Sequence, residues 1–228
     1  MSIRTNDLFT AILDILNENH VLEKTDVYLN QIKTNLKTEK YKKKKILFEE
    51  GTFPRGVFCL ISGKVKIFRN GDEGKAQIIH FAKKGEIIGF RAVYSEEFYN
   101  VSAETLEDSE ICYLTKNQFV SIVDSNPKFK NELIKEISKE LTVRAEFITK
   151  MAQKTVKERL AYAIILLTEI YDKEPINLSR EDMANFVGTA TETLIRLIKE
   201  FEHIDLIKLE ARKISVLDIK KLQKLAGV

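Results

Sequence analysis

Residues 178–199 read LSREDMANFVGTATETLIRLIK, and this stretch decides the fold of the C-terminal part of the chain. Ser179 has an acidic residue three positions later, close to a capping box, and Thr189 with Glu192 forms a complete one. Each pair predicts the start of a helix. Gly188 stands between the two predicted helices, where the backbone needs a left-handed residue. Two helices joined by a short glycine turn are typical of a helix-turn-helix.

A short hairpin is predicted directly after this motif. The apolar runs 206–209 and 214–217 flank the charged residues 210–213, a pattern typical of two strands and a turn. A hairpin in this position is the wing of a winged helix-turn-helix. Residues 154–228 hold 13 Lys and Arg against 12 Asp and Glu, which gives little electrostatic support for a nucleic-acid partner. The alternative therefore stays open that the motif binds a protein.

The second helix of the motif has two faces of different chemistry. Its apolar positions, expected to face the core, are Leu194, Leu197, Ile198 and Phe201. Its outward positions are Thr191, Glu192, Ile195, Arg196 and Lys199. In a DNA major groove an arginine can bind guanine O6 and N7, and a carboxylate can accept from cytosine N4. The alternative is a surface salt bridge between Glu192 and Arg196, which are four residues apart on one helix face.

A long helix is predicted before the motif. Residues 129–152 contain neither Gly nor Pro, Pro127 suits a first helical turn, and Ser125 or Asn126 suits the cap. One apolar seam with heptad spacing, interrupted by Arg144, is Ile134, Ile137, Leu141, Ile148 and Met151. A second apolar stripe is Phe129, Leu133, Val143 and Phe147. A helix of about 24 residues is about 36 Å long, more than a small barrel needs, so we expect the seam to pair with a second copy. The alternative is that both stripes are buried within one chain.

The N-terminal half has the pattern of a β-barrel or sandwich. Seven of the nine glycines lie between Gly51 and Gly89 and separate short apolar segments. The predicted strands are 57–61, 65–68, 77–81, 86–88, 101–104 and 109–114. Two helices are predicted before them, at 7–16 and 27–36. The four lysines at 42–45 are interpreted as a solvated strand entry rather than a phosphate-binding patch.

Composition excludes several classes of protein. In 228 residues with a net charge of +3 there is no run of 18 apolar residues, so we expect neither a transmembrane helix nor a membrane partner. The polar N-terminal residues predict no signal peptide. Two cysteines cannot build a disulfide framework or a four-cysteine zinc site, and one barrel histidine cannot build a jelly-roll metal centre. We therefore expect no metal, no catalytic residues and no enzyme activity.

From about Tyr41 to Val216 the chain resembles the Crp/Fnr family, that of the cyclic-AMP receptor protein and the fumarate-nitrate reduction regulator. The segments that carry the resemblance are 47–51 (LFEEG), 57–65 (VFCLISGKV), 85–89 (GEIIG), 178–184 (LSREDMA) and 187–196 (VGTATETLIR). The resemblance implies an α+β fold: a β jelly-roll domain like that of cyclic-nucleotide binders at 1–125, a dimerisation helix at 126–153 and a winged helix-turn-helix at 154–228. It also implies a cytoplasmic homodimer that regulates transcription at an inverted-repeat DNA operator, with RNA polymerase as a further partner if it activates.

The resemblance also assigns roles to residues. Base reading falls to Thr191, Glu192, Ile195 and Arg196. Phosphate contacts are expected from Ser179, Thr189, Lys199, Arg212 and Lys213. Thr191 and Ile195 depart from the family, because one branch has a further arginine at the first position and the other commonly has a serine at the second. The preferred base sequence therefore cannot be copied from either branch.

The sensor departs further from the family pattern. The candidate ligand-pocket residues are Gly89, Phe90, Arg91, Tyr99 and Asn100. Phe90 replaces the glutamate that holds the ribose, and Tyr99 replaces the arginine that pairs with the cyclic phosphate, so we expect no tight cyclic-AMP binding. The alternative is that Arg91 pairs with the phosphate from the other side. The N-terminal cysteine cluster of the iron–sulfur branch is absent. His80 is interpreted as a surface residue rather than a haem ligand, and Cys59 and Cys112 as core residues. No cofactor is predicted, although an unidentified small-molecule effector is compatible with the fold.

Overall fold

The structure, a computed structural model, describes residues 38–71 and 74–228. The helices predicted at 7–16 and 27–36 lie outside these residues. The chain divides into two compact units, the first ending with Glu140 and the second comprising Asn70–Ile79 and Leu141–Val228. Among the described residues, no helix is long and apolar enough to cross a membrane. The division into 1–125, 126–153 and 154–228 stays a prediction.

Eight strands form the β-sandwich that the glycine spacing predicts. They are β1 (Thr38–Tyr41), β2 (Ile46–Phe48), β3 (Gly56–Ser62), β4 (Lys64–Asn70), β5 (Ala76–Lys83), β6 (Ile87–Ile88), β7 (Ser102–Thr105) and β8 (Ser109–Thr115). They form two four-stranded sheets with the orders β1-β8-β3-β6 and β2-β7-β4-β5. All six predicted strand segments are therefore confirmed. The four lysines at 42–45 lie exposed between β1 and β2, and Lys42 pairs with Asp108 at 2.7 Å on the surface, which confirms a solvated strand entry.

In the described part of the chain, three helices accompany the sandwich: α1 (Phe90–Ser95), α2 (Lys116–Ser125) and α3 (Pro127–Gln153). The Asn126 side chain accepts a hydrogen bond from the Phe129 amide at 2.9 Å, which confirms one of the two predicted caps for α3. Phe129 and Leu133, at the start of α3, are buried in one cluster with Val57 of β3 and Phe119 of α2. The first two members of the second stripe thus hold α3 against the sandwich.

The second unit contains a three-helix motif, a wing and a last helix. Its elements are α4 (Val156–Ile170), α5 (Arg180–Val187), α6 (Thr191–His203), β9 (Ile207–Glu210), β10 (Lys213–Val216) and α7 (Ile219–Ala226). α4 is largely buried, and Leu160, Ile164 and Leu167 are fully enclosed. It therefore forms the centre on which the other helices of the unit pack. Only two residues, Lys154 and Thr155, connect α3 to α4. Thr155 also caps α4 in a capping box with Glu158.

Candidate nucleic-acid interface and sensor pocket

The turn between α5 and α6 depends on one left-handed residue. Gly188 has φ +70° and ψ +51°, and its amide and that of Thr189 both donate to the Ala184 carbonyl, at 2.9 and 3.1 Å. A residue with a Cβ is strained in this conformation. The glycine therefore fixes the sharp change of direction between the two helices.

The caps of these helices agree only in part with the sequence analysis. The Ser179 hydroxyl accepts from the Asp182 amide at 2.9 Å and contacts the Asp182 carboxylate at 2.7 Å, so the predicted start of α5 is confirmed. The predicted Thr189 cap is wrong: α6 begins one residue later, with Ala190 as its N-cap and no side-chain cap bond. The reason is that the Thr189 amide is already used to close α5. Its backbone belongs to the end of one helix rather than the start of the next.

Helix α6 has the two faces that its sequence predicts. Its apolar positions Leu194, Leu197, Ile198 and Phe201 are all buried. On the other face Glu192, Ile195, Arg196 and Lys199 are exposed, and Thr191 is half-buried. Among the described residues no salt bridge joins Glu192 to Arg196. Within the part of the chain that the structure describes, the guanidinium of Arg196 therefore has no ion-pair partner.

The wing places further basic side chains in the same unit. β9 and β10 pair antiparallel, Lys213 facing Glu210, and leave Ala211 and Arg212 as a two-residue turn. Ala211 has φ +54°, the left-handed conformation that such tight hairpin turns require. Arg212 and Lys213 are exposed. The structure thus presents two cations at the wing tip.

Two arginines in this unit were missed by the sequence analysis. Arg159 of α4 donates from Nη1 to the Met151 carbonyl at 3.1 Å and from Nη2 to the Gly188 carbonyl at 3.0 Å. Arg180 is the first residue of α5, and burial lowers the pKa of its guanidinium. Arg180 carries a weak sequence signal, because a cation in the first turn of a helix opposes the helix dipole. The partners of Arg159 are up to 29 positions away, and no local pattern reveals them.

The seam of α3 is exposed. Ile134, Leu141 and Ile148 are 54%, 65% and 66% exposed, while Ile137, Met151 and the intervening Arg144 are half-buried. The second stripe behaves differently: Phe129 and Leu133 are buried, Phe147 stacks on Phe186 with ring centroids 5.6 Å apart, and Val143 is 40% exposed. Large apolar side chains in a row on one surface are typical of a protein interface.

Aromatic side chains occupy the space between the two sheets, where the sensor pocket is predicted. Phe48 of β2 lies 5.9 Å from Phe58 of β3, and Tyr99 stacks on Phe48 at 4.0 Å. The Tyr99 hydroxyl donates to the Gly56 carbonyl at 3.1 Å. Burial raises the pKa of Tyr99 to about 12. The tyrosine therefore stays neutral and supplies no charge to a ligand.

The structure brings only some of the five predicted pocket residues together. Gly89, with φ +87°, lies against Tyr99, because a Cβ at Gly89 would lie 3.3 Å from the tyrosine oxygen. Phe90 is buried in the cluster that packs against α2 and α3. Arg91 has its Nη1 3.6 Å from Glu140 Oε2, and Asn100 is exposed. A contact between Gly89 and Tyr99 is thus the part of the predicted pocket that forms.

The two thiols are buried on neighbouring strands, and the barrel histidine pairs with a glutamate. Cys59 and Cys112 face each other on β3 and β8 and are buried, and burial raises the pKa of both thiols, that of Cys112 to about 11. His80 lies in β5 with Nε2 2.8 Å from Glu86 Oε2. The described residues hold no group of three or more His, Cys, Asp or Glu side chains that could bind a metal.

Comparison with known proteins agrees with this geometry. Residues 38–126 match the cyclic nucleotide-binding domain, and residues 158–225 match the Crp-like helix-turn-helix domain. The transcriptional activator protein anr of Pseudomonas aeruginosa is 28% identical over 193 residues, which cover 82% of this chain and 79% of that protein. The chain belongs to the Crp/Fnr family of transcriptional regulators.

Two further proteins match over a similar length. The fumarate and nitrate reduction regulatory protein of Vibrio cholerae is 25% identical over 189 residues, covering 80% of this chain and 75% of that protein. The structure of FixK2 from Bradyrhizobium japonicum superposes with a TM-score of 0.76 at 18% identity, covering 85% of this chain and 98% of that one. The superposition on FixK2 supports the fold: a sandwich, a long helix and a helix-turn-helix. Transcription regulation and DNA binding follow for this Crp/Fnr chain from its family.

Proposed function

We propose that this Crp/Fnr protein is a homodimer that binds an inverted-repeat DNA operator and reads it with α6. The observation that carries the proposal is the outer face of α6, where Glu192, Ile195, Arg196 and Lys199 are all exposed while the opposite face is buried. A second helix with this division of faces, following a glycine turn, suits insertion into a major groove.

Arg196 and Glu192 are the proposed base readers, with Thr191 and Ile195 beside them. Arg196 has no ion-pair partner among the described residues, so its guanidinium is available for O6 and N7 of a guanine. Glu192, one turn earlier, can accept from the N4 amino group of a cytosine. Ile195 supplies an apolar surface for a thymine methyl. Adjacent base pairs containing G and C are therefore expected in each half-site.

The proposed phosphate contacts lie before, within and after α6 in the sequence. They are Ser179, Thr189, Lys199, Arg212 and Lys213. The cations Lys199, Arg212 and Lys213 are exposed, which supports contacts with a charged backbone. Ser179 already bonds within α5, so a phosphate would compete with the Asp182 carboxylate for its hydroxyl proton.

The exposed seam of α3 supports the dimer. Three apolar side chains one heptad apart, Ile134, Leu141 and Ile148, are each more than half exposed. A parallel pairing of two α3 helices about a two-fold axis buries them all. Two recognition helices related by that axis then meet successive major grooves about 34 Å apart. The operator is therefore an inverted repeat.

The sensor of this protein is proposed not to take cyclic AMP. Tyr99 and Phe48 are buried and stack on each other at 4.0 Å, and Tyr99 bears no charge to pair with a phosphate. Arg91 lies beside the carboxylate of Glu140 instead. A buried phosphate without a cationic partner is strongly unfavourable. DNA binding is thus expected without added cyclic AMP, in the cytoplasm, and RNA polymerase is a further partner if the protein activates transcription.

The test is a selection of bound sites from random DNA by the wild type and by two matched variants. Arg196→Ala and Arg212→Ala each remove one exposed guanidinium. Arg196→Ala is expected to lose about 1–3 kcal/mol per half-site and the preference for one guanine. Arg212→Ala is expected to weaken all sequences alike and to flatten the salt dependence. Identical preferred sites for the wild type and Arg196→Ala contradict the base-reading assignment, and a wild type that enriches no DNA favours the alternative that the motif binds a protein.

A further inference from the structure

A single arginine joins the end of the long helix to the helix-turn-helix. Arg159, in the first turns of α4, donates to the Met151 carbonyl in the last turn of α3 and to the Gly188 carbonyl in the turn between α5 and α6. The two nitrogens used are the two ends of one planar guanidinium. All three residues lie within the second compact unit.

Both carbonyls need a partner. The last four carbonyls of a helix have no amide of their own helix to accept from, and Met151 is one of these in α3. The Gly188 carbonyl directly follows α5. Because the C-terminal ends of helices carry partial negative charge, a cation between two of them is favoured. Arg159 thus satisfies two helix ends that the sequence leaves unpaired.

The contact differs from the other link between α3 and the motif. Phe147 of α3 stacks on Phe186 of α5 with ring centroids 5.6 Å apart, a contact between apolar faces without a hydrogen bond between the rings. The Arg159 contact is more directional, because two nitrogens of one rigid planar guanidinium donate to two separate carbonyls, at 3.1 and 3.0 Å. The turn that it holds leads directly into the recognition helix, at Thr191.

We infer that Arg159 is a positioning residue for DNA binding: it sets the direction of α6 relative to the end of α3. In a dimer joined along α3, that direction determines whether both recognition helices fit successive grooves at once. The inference rests on the proposed function for its consequence in DNA binding. The bridge itself can be measured without DNA.

A conservative substitution separates positioning from charge. Arg159→Lys keeps the positive charge, but an ammonium group is a point donor and cannot bridge both carbonyls in the fork geometry. Arg159→Ala removes the charge as well. Arg69 is the matched control, because it is an exposed arginine of the other unit, is paired with Glu50, and lies in none of the helices α3, α4 and α5 that the bridge joins.

The experiment measures amide hydrogen exchange of the full chain and its affinity for a selected operator at several salt concentrations. For Arg159→Lys we expect faster exchange around 150–154 and 186–190. We also expect an affinity at least about tenfold weaker, the loss typical of one charge-assisted hydrogen bond, at an unchanged salt slope and dimer mass. Arg69→Lys is expected to match the wild type in both measurements.

Three results overturn the inference. Exchange and affinity of Arg159→Lys equal to the wild type would show that the bridge does not position α6. Full rescue by Lys, with a salt slope reduced by about one in Arg159→Ala, would make Arg159 a phosphate contact instead. A weakening explained entirely by the unfolded fraction would make it a stabilising residue only. A wild type that binds no DNA contradicts the proposed function, and the exchange data still decide whether the bridge exists.

Discussion

The substitution Leu141→Glu places a charge in the centre of the proposed dimer seam. Leu141 is 65% exposed in the single chain, and full burial of a leucine side chain is worth about 2 kcal/mol. The exposed part is therefore worth about 1.3 kcal/mol in each protomer and about 2.6 kcal/mol in a symmetric dimer. That loss alone raises the dimer dissociation constant about eightyfold. Two carboxylates facing each other across the two-fold axis add repulsion and desolvation in the same direction.

Sedimentation over a range of protein concentrations measures this dissociation constant. Thr142→Glu is the matched control, since it makes the same change of charge one residue away, at an exposed position off the seam. The control is expected to keep the wild-type constant, because its carboxylate stays in water. Circular dichroism checks that both variants retain their helices. A Leu141→Glu protein that dimerises as tightly as the wild type and the control would refute the assignment of the seam.

Three further predictions concern the sensor and the turn. Calorimetry at micromolar cyclic AMP is expected to give no saturable heat, since Tyr99 is neutral, buried and stacked on Phe48 and cannot pair with the phosphate; saturable binding would show that another group neutralises it. Gly188→Ala is expected to lower the free energy of unfolding by about 1–2 kcal/mol, because its φ of +70° strains any side chain; an unchanged melting temperature would argue against this turn. Burial raises the pKa of Tyr99 in the folded protein to about 12, from 10.0 in the unfolded chain. The stability that depends on neutral Tyr99 is therefore complete below pH 10 and is lost as the pH rises towards 12. The free energy of unfolding falls by up to about 2.7 kcal/mol over this range. Denaturant unfolding measures the loss of unfolding free energy between pH 9 and pH 11. This loss should be smaller for Tyr99→Phe than for the wild type, and equal losses would count against the buried tyrosine.

Patterns confined to a single element were visible in the sequence. The glycines and alternating apolar residues identify the six predicted strands, because each signal lies within a few residues of the strand that it marks. The Ser179 cap and the two faces of α6 are equally local. The Thr189 cap failed for a related reason: two helices compete for the same short turn, and the amide of Thr189 is used by the earlier one.

Contacts between distant segments could not be predicted in the same way. Tyr99 and Phe48 are 51 positions apart, and only the folded sandwich shows that their rings stack between the sheets. In the sequence, Arg159 looks like an ordinary solvated residue of an amphipathic helix. Its two carbonyl partners become evident only in the fold, where α3 and α5 end beside it. Phe90 and Arg91, adjacent in sequence, have separate surroundings, one in the apolar cluster and one beside Glu140.

The decisive measurement of operator recognition is a selection of bound sites from random double-stranded DNA by the unmodified 228-residue chain, with no cyclic nucleotide added. We expect enrichment of one inverted repeat whose half-sites contain adjacent G and C base pairs and lie about one helical turn apart, centre to centre. Enrichment of a single half-site, or no enrichment while the protein is folded and dimeric, would contradict it.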